Sequence, residues 1–347
     1  MDRQIPTVDL SGFGTENAPP AEFLSQLRVA AHEVGFFYLT GHGVDPELLR
    51  EIALRARHFF VLPESDKLAI DMVNSPHFRG YTRAGSECTR GGVDWREQID
   101  IGAERAALPR EVGAPAWTRL QGPNQWPAAL PELRPVVLRW QRAAAGVLIR
   151  LLHALALALG QQRSAFEPLH GSEPHHLTKL IRYPGREAIG REQGVGPHKD
   201  AGLLTLLLQD SVGGLQVEVS DAWIDVPPRA GALVVNIGEL LEMASDGYLR
   251  ATLHRVVAPP AGSERISVAF FLGARLEAEV DVLQLPPILA AQSRGPERDP
   301  ANPLLRNVGD NHLKGRLRSH PDVARRHHAD LLGTSELGSP AMPTGYP

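Results

Sequence analysis

Apolar and polar positions recur along this chain with two different periods, and the change between them divides it. "IPTVDL" (5–10) has the texture of a short strand. "EFLSQLRVAAHEVG" (22–35) carries apolar residues at helical spacing, with Gly35 as its stop. "FFYLTGHG" (36–43) is aromatic and apolar and ends on glycines, which predicts a strand. "DPELLREIALRARHFFVLP" (45–63) predicts a second helix, with Asp45 as N-cap and Pro46 at its first position. Residues 76–102 are irregular and rich in Gly and Arg, with a strand in "WREQIDIG", and helical spacing returns over about 130–160.

From residue 177 the period shortens. "LTKLIRYP", "GLLTLLLQD", "GGLQVEV", "AWIDVPP", "ALVVNIG", "HRVVAPP" and "RISVAFFLG" are β-rich runs separated by Gly, Pro and Asp turns. Such spacing predicts a sandwich, barrel or jelly roll. The expected organisation is an N-terminal region (1–125), a helical brace (126–176), a β-rich core (177–280) and a C-terminal extension (281–347). Within the extension, 303–332 is basic and partly helical in expectation, and 333–347 reads as a loose tail.

Composition narrows this picture modestly. The 347 residues are 43% hydrophobic and 22% charged, as in soluble globular proteins. A net charge of −4 provides no global field for nucleic acid or anionic lipid, so neither is an expected partner. The basic run "LKGRLRSHPDVARRHH" (313–328) contains Asp322 and reads as a solvated helix or a self-association surface. "AAAGVLIRLLHALALALG" (143–160) is interrupted by Arg150 and His153 and reads as a buried core helix, not a membrane span. Cys88 is the only cysteine, so no intrachain disulfide can form; with no signal-peptide core in "MDRQIPTVDL", a cytoplasmic location is expected.

The candidate chemistry sits in "GPHKDAGLLTLLLQD" (196–210). Strand alternation would turn His198 and Asp200 to one side and Lys199 away from it. One imidazole and one carboxylate cannot enclose a divalent ion, and "ATLHRVV" (251–257) supplies His254 as a third ligand. Two histidines and one carboxylate leave coordination positions open, as non-haem Fe(II) oxygenases require. A closed structural zinc site would favour thiolates, which a single cysteine cannot supply. With 14 histidines in the chain, an isolated HxD pair would carry little weight; its order with other signals matters. In "ERISVAFF" (264–271) Arg265 and Ser267 share a face and could grip a carboxylate together, with Tyr183 of "LIRYPG" as a helper.

The succession His198-x-Asp200, His254 at 56 residues' distance, then Arg265-x-Ser267 resembles the isopenicillin N synthase-like family of Fe(II)/2-oxoglutarate-dependent oxygenases. "VGFFYLTGHGV" (34–44), "HFFVLPESDK" (58–67) and most of 213–257 extend the resemblance over residues 5 to about 275. It implies an α+β fold, a double-stranded β-helix (jelly roll) core braced by N-terminal and central helices. It further implies His198, Asp200 and His254 as Fe(II) ligands, with Arg265, Ser267 and Tyr183 holding 2-oxoglutarate. Glu239, where relatives often carry Asp, is a departure outside the ligand positions.

The implied reaction uses dioxygen and 2-oxoglutarate to oxidise an unactivated C–H bond of a small molecule, releasing succinate and carbon dioxide. Hydroxylation is the default outcome, with desaturation, cyclisation or ethylene formation as variants. An oxidase like isopenicillin N synthase, which uses the triad without 2-oxoglutarate, stays open here, as does a metal-free sensor on the same jelly roll. The substrate's identity and the oligomeric state are not legible. Residues 77–102 precede the core, and the expectation is that Tyr81 and Glu87 face the iron and contact the substrate.

Overall fold

The computed structural model describes residues 4–14, 19–89, 92–187, 193–297 and 302–332, so the tail expected beyond 332 lies outside the described residues. An eight-stranded sheet runs in the order Thr7–Asp9, Phe36–Thr40, Leu233–Ile237, Leu204–Gln209, Glu264–Leu272, His176–Pro184, Glu97–Gly102, Gly80–Thr82. Facing it is a four-stranded sheet ordered Ala222–Asp225, Leu215–Val219, His254–Val257, Gln193–His198. Apart from the parallel pair Thr7–Asp9 with Phe36–Thr40, neighbouring strands in both sheets run antiparallel. The two sheets form the jelly roll, and strands from before residue 103 complete the larger one.

Alternation along the strands creates two cores. Leu180, Leu204, Leu206, Ile266, Val268 and Phe270 point outward into the helical layer. There they pack with Ile52 and Phe59 of the Pro46–Phe60 helix and with Trp140, Leu148 and Leu151 of the Leu133–Ala158 helix. The latter is long and apolar enough to cross a membrane by length and composition, yet its apolar stripe is buried in this core. Ile181, Tyr183, Val195, Val217, Val234 and Ala269 point inward between the sheets.

Local signals act as the sequence predicts. Asp45 Oδ1 accepts from Glu47 N at 2.8 Å and caps the Pro46–Phe60 helix. The Ala21–Val29 helix runs on through one wide turn, Ala30–Val34, and stops at Gly35 with φ 69°. A Cβ on Gly35 would lie 2.0 Å from the Arg250 carbonyl oxygen, so the chain there admits glycine alone.

The basic C-terminal stretch departs from expectation. It forms helices Val308–Ser319 and Pro321–His327, packed on the short turn Ala116–Leu120 through Leu120, Leu313 and Val323. Arg316, His320 and His328 are buried rather than solvated. A run of cations is compatible with burial because the body of the protein supplies partners that local sequence does not reveal.

Candidate active site

His198 closes the Gln193–His198 strand and lies directly opposite His254 across the sheet ladder, their rings 4.2 Å apart. Asp200 is not in that strand, which corrects the expectation from alternation. The chain turns after His198, and the turn is held by Glu239 N donating to the Asp200 carbonyl at 2.8 Å and Leu240 N to that of Gly202 at 3.1 Å. Convergence of His198 and Asp200 therefore depends on the neighbouring Glu239–Ala244 helix. Glu239 itself contributes a backbone contact there, and its half-buried carboxyl is pushed up to about 7, chiefly by desolvation, with further support from Glu242 and Asp200.

Hydrogen bonds leave one bare ligand atom on each residue. His198 Nδ1 pairs with the Gly196 carbonyl at 2.8 Å, and His254 Nδ1 with that of Thr252 at 3.1 Å. Thr205 Oγ1 and Asn236 Nδ2 (2.7 Å) both donate to Asp200 Oδ2, from positions paired across adjacent strands. Asp200 Oδ1 remains, 3.8 Å from His198 Nε2 and 3.7 Å from His254 Nε2. Burial disfavours the charge on Asp200, but His254, His198 and the two donors more than offset this and lower its pKa. Burial and the adjacent His254 depress His198, so it is held neutral and able to coordinate. Two imidazoles and a carboxylate, with the second ring nitrogens fixed by carbonyls, suit a divalent metal. Sequence reasoning missed Thr205 and Asn236.

Arg265 and Ser267 point inward from the Glu264–Leu272 strand, and both are almost fully buried. Arg265 Nη2 donates to Gln209 Oε1 at 2.9 Å, while its Nε and Nη1, and Ser267 Oγ, are buried without a partner among the described residues. Desolvation lowers the Arg265 pKa, and the guanidinium makes no ion pair with any described residue. Such orphaned donors fit a ligand carboxylate. Tyr183, opposite Arg265 in register, lies between Arg265 and Arg96 and favours the charge of both.

The other two predicted residues separate. Glu87 is buried on the inner side: Gln98 Nε2 donates to its Oε1 at 3.1 Å and Arg96 Nη2 to its Oε2 at 3.0 Å, while Lys179 and His320 close around it. Tyr81 corrects the expectation. It pairs with Ile99 on the opposite, helix-facing side of the sheet, and its hydroxyl donates to Glu97 Oε2 at 2.6 Å beside Phe59. Alternation along three-residue Gly80–Thr82 decides this, and so short a strand carries no register signal of its own.

Comparison with known proteins agrees with this geometry. Residues 5–129 match the family "non-haem dioxygenase in morphine synthesis N-terminal", and residues 174–274 the "2OG-Fe(II) oxygenase superfamily". The chain is 36% identical to the 2-oxoglutarate-dependent dioxygenase frbJ of Dothideomycetidae sp. (strain 11243), over 98% of this chain and 99% of that protein. The chain belongs to the Fe(II)/2-oxoglutarate-dependent oxygenases. This oxygenase is also 34% identical to homoarginine-6-hydroxylase 2-ODD-C23 of Glycine max, covering 80% of this chain and 88% of that one. Among solved structures it resembles full-length Neurospora crassa T7H with alpha-KG and 5-formyluracil (TM-score 0.72, 25% identity, 90% and 96% covered). It likewise resembles JOX2 with 2OG, Fe and JA (TM-score 0.70, 25% identity, 96% and 88% covered). The oxygenase uses Fe(II), 2-oxoglutarate and dioxygen on a small-molecule substrate.

Proposed function

We propose that His198, Asp200 and His254 hold the Fe(II), that Arg265 and Ser267 take the distal carboxylate of 2-oxoglutarate, and that the outcome is hydroxylation of a polar small molecule. One observation carries this reading. Three bare ligand atoms, within 4.8 Å of one another, share one barrel with three buried donors that have no partner. Bound iron with 2-oxoglutarate supplies the oxidising power for C–H cleavage. The protein orients the ligands, pairs the carboxylate and excludes water.

The substrate's character follows from the wall beside the site. Gln98 and Asp100 pair in register with Ile181 and Lys179, which pair in turn with Ser267 and Ala269. Gln98, Asp100 and Lys179 thus share the inward face with the orphaned Ser267. Gln98 Nε2 is committed to Glu87 and Asp100, and its buried Oε1 has no partner among the described residues. Lys179 Nζ stands 3.6 Å from Asp100 Oδ2 and 3.9 Å from Glu87 Oε1, too far for hydrogen bonds. An open acceptor beside an open cationic donor suits a substrate bearing an N–H or O–H next to a carbonyl or carboxylate. Both carboxylates already have arginines, Arg316 on Asp100 at 2.8 Å and Arg96 on Glu87, so a cationic substrate would lack a counterion. On this reading the substrate differs in charge from the homoarginine named in the plant relatives.

Succinate formation from 2-oxoglutarate and Fe(II), lost in Arg265→Gln and in His254→Ala, tests the assignment. Turnover without succinate would favour the oxidase reading instead. Strong stimulation of succinate release by L-homoarginine would refute the proposed charge selectivity.

A further inference from the structure

Lys199 stands between two of the proposed ligands, in the turn after the strand, and its side chain goes to the Glu239–Ala244 helix. It does not reach solvent as a free ammonium. Its Nζ lies 3.2 Å from Glu242 Oε2 and 3.4 Å from Oε1, and 2.6 Å from the exposed Glu297. Glu242 is buried in the Glu239–Ala244 helix, whose first backbone N–H already caps the Asp200 carbonyl. Its Oε1 also accepts from Ala251 N at 3.1 Å, three residues before His254. One carboxylate therefore ties the segment carrying His198 and Asp200 to the segment carrying His254.

We propose that Glu242 and Lys199 are positioning residues for the metal site, a buried ionic bracket that fixes the distance between its two ligand-bearing segments. The inference rests on the triad reading above. Backbone pairing alone sets His198 against His254, but the ladder is irregular there, with register shifts following the His254–His198 pair. Asp200 lies beyond the strand, so its approach to both histidines depends on how the turn is anchored to the helix. Burial opposes the Glu242 charge, and the Lys199 ammonium 3.2 Å from Oε2 offsets part of that cost. A lysine flanked by ligands is in this way part of their support although it faces away.

The test uses Co(II) as probe, titrated calorimetrically into the metal-free full-length chain, with His198→Ala defining the heat that belongs to the triad. Lys199→Met and Glu242→Gln are expected to weaken the Co(II) Kd by about 10–100-fold, the range seen when groups supporting metal ligands are lost. Lys199→Arg, which keeps the charge, is expected to retain most of the affinity. Melting temperatures of the metal-free variants are read alongside, because a purely structural pair would lower them and leave the Kd of folded protein unchanged. Wild-type Co(II) affinity in folded Lys199→Met or Glu242→Gln overturns the proposal. If Lys199→Met does not fold, Glu242→Gln, which keeps an acceptor for Ala251, decides alone. Equal heats from the unaltered chain and His198→Ala would instead refute the triad reading itself.

Discussion

Arg265→Gln separates the roles of the two halves of the site. In the ligand-free protein the guanidinium is buried between Gln209 and Tyr183, and its Nε and Nη1 have no partner among the described residues. Tyr183 and Asp210 offset only part of its desolvation, so the metal-free, ligand-free variant should melt no lower than the unaltered protein. Binding of 2-oxoglutarate should suffer heavily. Loss of a buried, charge-assisted contact costs about 2–5 kcal/mol, which corresponds to roughly 30-fold to several thousand-fold in Kd. The two effects have opposite signs, which makes the experiment discriminating. At a 2-oxoglutarate concentration 100 times its Kd, the unaltered protein gains about 2.7 kcal/mol from ligation. After a thousand-fold loss the same concentration contributes on the order of 0.1 kcal/mol or less. Thermal melting with and without 2-oxoglutarate, in the presence of Co(II), reads this directly. A variant that melts well below the unaltered protein without ligand, yet keeps the full ligand-induced shift, would refute the reasoning. Arg265 would then be a structural residue.

Three further outcomes are expected. His198→Ala and His254→Ala should each abolish Co(II) binding and succinate formation while the metal-free chain stays folded by circular dichroism. Tyr81→Phe deletes a hydrogen bond to the buried Glu97, which keeps Lys67 and Arg182 as partners; it should lower stability by about 1.5–3 kcal/mol in urea unfolding and leave 2-oxoglutarate kinetics unchanged. Burial depresses His176 and His320 to about 4 and His312 to about 3, so the unfolded chain binds protons there first; stability should fall as pH drops from 6.5 toward 4, and His312→Gln should reduce that slope by up to about one proton in pH-dependent urea midpoints.

The fold was legible where local pattern and tertiary context agree. The Pro46–Phe60 helix announced its cap, its first-turn proline and its apolar stripe, and all three are present. All seven β-rich runs after residue 177 are strands. The strand that ends in His198 runs back to Gln193 rather than on to Asp200, an extent the pattern hides because "QGVGPH" offers two glycines and a proline in place of β-branched alternation. Those glycines have a tertiary reason. A Cβ on Gly194 would lie 2.8 Å from the Tyr183 ring and 3.0 Å from the Val256 carbonyl oxygen, and one on Gly196 3.1 Å from Thr89 Cβ. Close packing near the metal site thus removed the pattern by which strands are recognised.

Ligand atoms were easier to find than the groups supporting them, for a physical reason. A metal needs particular residue types, so His198, Asp200 and His254 limit the choices strongly even without structure. The wall beside them obeys no such restriction. In "EQIDIG" the alternation of Gln98 and Asp100 with Ile99 and Ile101 has the pattern of a half-solvated strand, and by periodicity alone that is the better reading. Burial of the polar face comes from elsewhere: Arg316 arrives from more than 200 residues downstream to meet Asp100, and His320 to meet Glu87. A surface strand and a basic helix each look solvated when read separately, and only their contact buries the polar faces of both. The charge of that wall is therefore a property of the pair, and changing Arg316 alone should alter substrate selectivity without disturbing the proposed metal ligands.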